Sequence, residues 1–224
     1  MWQMRALMGV SGIWTGVTPG AALLTAAGGY CLGCISTGYY LVKLRTGKDI
    51  RQIESGSTGA RNVSRVLGSN GFVFTLTGDL AKGGLAVWLA SILTGNQTLE
   101  LLALMAVVLG HVWPVQLKFH GGKGIATSLA GLLFYNPIFT LYYCLLFGLV
   151  FLLTRRSVLS SLLAYALLPL ACYFASKEPS QALDISILAV VVLVAHHRNV
   201  AEGIHHLLKR RSLQPQPELP VKEI

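Results

Sequence analysis

FVFTLTGDLAKGGLAVWLASIL, residues 72–93, is a run of 22 residues, long enough to cross the ~30 Å hydrocarbon core of a bilayer, with two charges, Asp79 and Lys82, near its middle. Each charge at that depth costs of order 2.5–3.5 kcal/mol on insertion scales, so such residues face a polar interior and mark function. Three apart on a helix, they share a face and can pair. Working outward, apolar stretches also lie near residues 20–44, 98–116, 123–135, 137–154, 157–175 and 183–197; with the central one, bounded at 70–94, they number seven. The fourth in chain order, GIATSLAGLLFYN, is too short to span comfortably and reads as a half-helix entering from the Gly-rich stretch before it. Composition agrees. Hydrophobic residues make up 53% of the chain and charged residues 12%, about half the ~25% of a soluble domain, which excludes a water-soluble globular enzyme. The expected fold class is an all-α integral membrane protein with about seven transmembrane helices, some short or re-entrant.

The net charge of +9 suggests nucleic acid only until the bases are located. Of 18 Lys and Arg, fifteen fall in the stretches Lys43–Arg65, Lys118–Lys123, Arg155–Arg156, at Arg198 and in Lys209–Lys222. If each segment crosses once, all of these lie on one side, leaving Arg5 and Lys177 opposite and Lys82 within a segment. The positive-inside rule then puts the N-terminus outside and the C-terminus inside, with no nucleic-acid partner implied. Five crossings with re-entrant pieces satisfy the same parity as seven. The expected organisation is an N-terminal extension (1–19), a membrane-embedded domain (20–205) and a basic, then Pro-rich tail (206–224), with a short basic helix over 199–211 resting on anionic lipid. No repeat is visible.

Chemistry gathers at four places. The loop GKDIRQIESGSTGARNVSRVLGSNG sets Gly and Ser among Arg51, Arg61 and Arg65; Gly/Ser backbone can form an anion-binding nest, and guanidinium groups grip phosphate oxygens. The same loop also reads as plain positive-inside charge. Asp79 and Lys82 are either a structural ion pair or substrate contacts. In GHVWPVQLKFHGGKGIATS, residues 110–128, the glycines Gly121, Gly122 and Gly124 flank Lys123 just before an apolar helix, an arrangement that favours phosphate without matching a Walker A loop. In AHHRNVAEG, residues 195–203, His196 and Asn199 share a helical face. Cys31 and Cys34 form a lone CxxC within an apolar segment and, with Cys144 and Cys172, read as packing residues; no metal site or cofactor is expected.

Taken in order, these elements resemble the acyl-phosphate-dependent glycerol-3-phosphate acyltransferase (PlsY) family. The matching residues are Gly38-Tyr39, Asp49-Ile50-Arg51, Gly59-Ala60, Asn62, Arg65, Asp79, Lys82-Gly83, Gly110-His111, Pro114, Phe119, Gly121 to Gly124, Ala126-Thr127, His196 and Asn199. The family's first motif usually runs G-S-G-N-x-G-A-T-N-x-x-R. This chain keeps Ser55, Gly56, Gly59, Asn62 and Arg65 but has Glu54, Ser57 and Arg61 in place of Gly, Asn and Thr, and Glu202 where an Arg is usual.

The resemblance implies transfer of a fatty acyl group from acyl phosphate to the sn-1 hydroxyl of glycerol 3-phosphate at a bacterial cytoplasmic membrane, with the site facing the cytoplasm and no cofactor. It implies catalytic roles for His196, Asn199 and Ser55. Substrate-binding roles fall to Arg51, Gly56, Gly59, Asn62, Arg65, Asp79, Lys82, His111, Gly121, Gly122, Lys123, Gly124 and Thr127. Acyl phosphate carries its own leaving group, so positioning and charge stabilisation can dominate; His196 either takes the hydroxyl proton or orients the acceptor. Two further readings are a transporter or channel for a phosphorylated solute, using the same bases, and a paralogue that binds phospholipid precursors with altered catalysis.

Overall fold

The computed structural model describes residues 16–197. Among them lie eight α-helices: α1 (Pro19–Cys34), α2 (Thr37–Thr46), α3 (Ala60–Thr94), α4 (Gln97–Val112), α5 (Ile125–Tyr135), α6 (Pro137–Thr154), α7 (Ser157–Ser176) and α8 (Pro179–Ala195), with 3-10 turns at Ile50–Gln52 and Val115–Leu117. Five stretches are long and apolar enough to span a membrane: Pro19–Thr46, Ala60–Thr94, Gln97–Leu117, Pro137–Thr154 and Ser157–Ser176. Ile125–Tyr135 and Pro179–Ala195 are shorter apolar helices. Most of the N-terminal extension, the basic helix expected over 199–211, the tail, Asn199 and Glu202 lie outside the described residues.

Local chemistry sets the tight turns between the helices. Asn96 and Asn136 cap α4 and α6, each side-chain oxygen accepting from two backbone N–H groups of the first turn, and Pro137 opens α6 where no N–H is needed. At Gly95, Arg155 and Lys177 the preceding helices end in left-handed residues, which reverses the chain within two residues and makes sequence neighbours antiparallel. The long apolar side chains of α6, including Leu145, Leu149, Leu152 and Leu153, point outward, as lipid contact requires. Inside, Leu104, Val107, Leu132, Tyr165, Leu168, Ile185 and Leu188 form the core where α4, α5, α7 and α8 meet.

Two of the expected boundaries move. The first span, read as continuous over 20–44, breaks at Ile35-Ser36. The break is tolerated because other segments satisfy the freed carbonyls: Lys82 Nζ donates to Ile35 O at 2.8 Å and the Gln116 side-chain amide donates to Cys34 O. The loop expected over 45–69 ends early, since α3 begins at Ala60. Its first two turns carry the polar residues Arg61 to Arg65, and Gly68, with φ 64° and ψ −159°, breaks the helix before the apolar part begins.

Small residues bring the helices close. A Cβ on Gly33 would stand 2.2 Å from Val107 O, and one on Gly110 2.2 Å from Tyr30 O, so α1 and α4 touch backbone to backbone. Gly83 does the same for α3 against Thr127 O at 2.0 Å. The 11 residues of α5 rise about 16 Å and the 18 of α6 about 27 Å. Because only Asn136 joins them, α5 starts about 10 Å short of the far end of α6. The GGKG stretch that feeds α5 is therefore recessed into the bundle.

Candidate active site

The loop between α2 and α3 is held by side chains that turn inward onto the backbone. Asn62 Nδ2 donates to Ser57 O (2.9 Å), Ile53 O (3.0 Å) and Ile50 O (3.3 Å), pulling the loop into a compact coil. Asp49 accepts from the backbone N–H and the side chain of Arg51, with Nη2 to Oδ2 at 2.6 Å. These hydrogen bonds hold the Asp49 carboxyl below its usual range. Arg51 Nη1 also donates to Leu117 O at 2.7 Å, and its guanidinium carbon lies 5.1 Å from the Tyr39 ring centroid. Arg51 thus staples the loop to the turn after α4. Gly56 takes the positive φ (66°) that lets the loop close over Arg51.

The recessed GGKG stretch rests on His111. Gly121 N–H donates to Val112 O (3.1 Å) and Gly122 N–H to His111 O (3.0 Å), while a Cβ on Gly122 would lie 2.0 Å from His111 Nε2. Close approach explains both glycines, but to a histidine. Gly124 alone of the three takes a positive φ (83°), at the N-cap of α5. The two loops meet where Thr58 N–H donates to Gly121 O at 3.3 Å, and Ser36 Oγ donates to Thr58 Oγ1 at 3.0 Å.

Below them Lys82 Nζ is 2.9 Å from Asp79 Oδ1, both side chains being 5% exposed, and His111 Nδ1 is 3.6 Å from the same oxygen. With its second bond to Ile35 O, Lys82 ties α3 to the break between α1 and α2. Thr127 is fully buried under Gly83.

A cavity of about 720 Å³ opens between the two loops. Of the expected site residues, Ser55, Gly59, Asn62, Arg65, Asp79, His111, Lys123, Gly124 and His196 line it. Arg51, Gly56, Lys82, Gly121, Gly122 and Thr127 instead support its walls. Its charged rim adds Arg61, one of the three loop guanidiniums, and Glu54, which stands out in the sequence only as a departure from the family motif; Leu76, Ile125 and Val158 contribute apolar wall and carry no sequence signal at all. Arg65 Nη1 pairs with Glu54 Oε2 at 3.1 Å, and Arg61 Nη1 donates to Ser157 Oγ at 3.4 Å.

Two features give the cavity its chemistry. The N-cap and first residues of α3 (Gly59, Ala60, Arg61) and of α5 (Gly124, Ile125, Ala126) both line it, so the N–H-rich ends of two helices face one space that also holds Arg65 and Lys123. His196, 1% exposed, has Nδ1 2.8 Å from Val192 O. A carbonyl only accepts, so Nδ1 carries the hydrogen, and Nε2 of the neutral ring keeps the lone pair.

Comparison with known proteins points one way. The family model for glycerol-3-phosphate acyltransferase matches residues 23–206. The chain is 41% identical over 189 residues to glycerol-3-phosphate acyltransferase 1 of Desulfitobacterium hafniense (strain Y51), covering 84% of this chain and 94% of the relative. It is 38% identical over 184 residues to glycerol-3-phosphate acyltransferase of Trichlorobacter lovleyi, covering 82% and 94%. Its fold is similar to the crystal structure of PlsY (YgiH), an integral membrane glycerol 3-phosphate acyltransferase, in the glycerol 3-phosphate form (TM-score 0.74, 30% identity, 83% and 92% covered). The lysophosphatidic acid form of that protein matches with TM-score 0.71 at 28% identity, over the same shares of the two chains.

Proposed function

The chain belongs to the glycerol-3-phosphate acyltransferase family of integral, multi-pass membrane enzymes, and from that membership we propose that it moves a fatty acyl group from acyl phosphate to the sn-1 hydroxyl of glycerol 3-phosphate. The products are lysophosphatidic acid and inorganic phosphate. The observation that carries this reading is the pair of helix N-termini lining one cavity, since the reaction brings two phosphoryl groups together. Arg65 with the start of α3 holds one of them, and Lys123 with the start of α5 holds the other. The acceptor oxygen attacks the acyl carbon, the new C–O bond forms, and the bond to the phosphate oxygen breaks. His196 Nε2 accepts the hydrogen bond of the attacking hydroxyl and orients it, Asn199 assists, and Ser55 lines the phosphate cradle. The departing phosphate takes the proton, so no strong base is needed. The transporter reading has against it the apolar core around Leu104, Leu132, Leu168 and Leu188, which fills the bundle beyond the cavity.

Purified protein given acyl phosphate and glycerol 3-phosphate is expected to form lysophosphatidic acid, and none with glycerol; equal acylation of glycerol would contradict the second phosphate cradle. The cavity is proposed to face the cytoplasm of a bacterium, because the loops that build it carry the bases. With the exposed Cys31 and Cys144 replaced by Ala, Arg156→Cys should resist an impermeant thiol reagent in intact cells while Glu178→Cys reacts. The reverse labelling pattern would turn the site to the other compartment.

A further inference from the structure

The guanidinium proposed above to hold a phosphoryl group is already engaged in an ion pair at the cavity rim. Arg65 lines the cavity, yet its Nη1 is 3.1 Å from Glu54 Oε2, and Glu54 lines the same space. Both side chains are partly exposed, at 45% and 60%, so the contact is solvent-screened and a ligand can displace it. Glu54 also holds a left-handed backbone conformation, φ 50°, that side-chain-bearing residues seldom adopt. Arg61, one helical turn before Arg65 and also on the cavity wall, is anchored instead to Ser157. The Arg65 guanidinium thus already has an anion, supplied by the chain itself.

We propose that Glu54 is an internal competitor for the phosphoryl group bound at Arg65: its carboxylate occupies the guanidinium in the free enzyme and must leave it when a phosphate monoester enters. Glu54 is thereby an affinity-setting residue, which weakens substrate binding and speeds release of phosphate-bearing product from the same cradle. This rests on the acyltransferase reading, in which Arg65 meets one of two phosphorylated substrates. Those substrates share the chemistry that Arg65 recognises, and the kinetics tell them apart.

The test compares wild type with Glu54→Gln and Glu54→Gly. Glu54→Gln removes the charge and keeps a side chain at the left-handed position; Glu54→Gly also relieves that backbone. An exposed ion pair of this kind corresponds to at most about a fivefold change in an equilibrium constant. Both variants are therefore expected to lower one KM, that of glycerol 3-phosphate or that of acyl phosphate, by roughly two- to fivefold at low salt, with no rise in kcat and with tighter inhibition by inorganic phosphate. The KM that falls identifies the group held by Arg65. The difference should shrink as salt screens it. In an Arg65→Gln background the effect of Glu54→Gln should vanish, because the competitor has lost its target.

Three results overturn the proposal: both KM values unchanged in Glu54→Gln, a fall confined to Glu54→Gly, or an effect that persists without Arg65. The last would mean a general field acting on every anion. If wild-type protein makes no lysophosphatidic acid, the acyltransferase reading fails by itself; the Glu54 claim is then decided by binding of inorganic phosphate to wild type and Glu54→Gln, where unchanged affinity overturns it.

Discussion

Replacing Lys123 with alanine is expected to lower kcat/KM by roughly ten- to a hundredfold, while replacing Lys118 leaves turnover nearly unchanged. The two lysines lie in the same connection between α4 and α5 and are equivalent as topology signals. The structure separates them. Lys118 is exposed on a left-handed residue that ends a 3-10 turn, away from the cavity wall. Lys123 is half-buried, lines the cavity and directly precedes the N-cap of α5. A charge-assisted hydrogen bond to phosphate at such a recessed site contributes about 1.5–3 kcal/mol, which sets the size of the loss. Steady-state kinetics on the two variants check it. Equal behaviour, with little change in either, would remove the phosphate assignment from this loop.

The second large effect is expected from Gly122→Ala, through packing alone. The new methyl carbon would lie 2.0 Å from His111 Nε2 and 2.4 Å from Cε1, and His111 is 4% exposed, with Asp79 on its other side. The ring has little room to retreat, so the strain falls on the GGKG stretch and moves Lys123 with it. Overpacking of this kind costs about 1–3 kcal/mol, and a displacement of about 1 Å at a positioning residue costs of order a hundredfold in rate. A fall in the melting temperature together with a loss of activity at least as large as that of Lys123→Ala is therefore expected. Adding His111→Ala should recover part of the lost thermal stability by vacating the space the methyl group needs. A Gly122→Ala protein with normal stability and turnover would contradict the seating of this loop on His111.

Much of the fold is legible in the sequence because bilayer crossing imposes a length and an apolarity that few residues escape. All seven apolar stretches are helical, and the short fourth one is a half-helix whose N-terminus is recessed. The breaks at Ile35 and Gly68 are not legible in the same way. A helix can open in the bilayer wherever a distant group satisfies its carbonyls, and the group at Ile35, Lys82, stands 47 positions away. The site divides similarly. Residue types mark out the polar loops, but direction decides whether a polar side chain meets substrate or backbone. Arg51 turns to a carbonyl off the cavity wall, and Asn62, although on that wall, gives its side-chain amide to backbone carbonyls, whereas Arg65 and Lys123 present charge to the cavity. Gly121 and Gly122 read as room for a ligand because close approach needs glycine whatever approaches; here His111 does. Asp79 and Lys82 stand as an ion pair, and of the two only Asp79 is on the cavity wall.

The central claim is that one cavity holds two phosphorylated substrates and joins acyl transfer to release of phosphate. Its most direct test is inorganic phosphate released by the purified protein from acyl phosphate, with and without glycerol 3-phosphate. The account predicts release that depends on the acceptor and matches lysophosphatidic acid mole for mole. Release at the same rate without glycerol 3-phosphate, or none with it, would contradict the account.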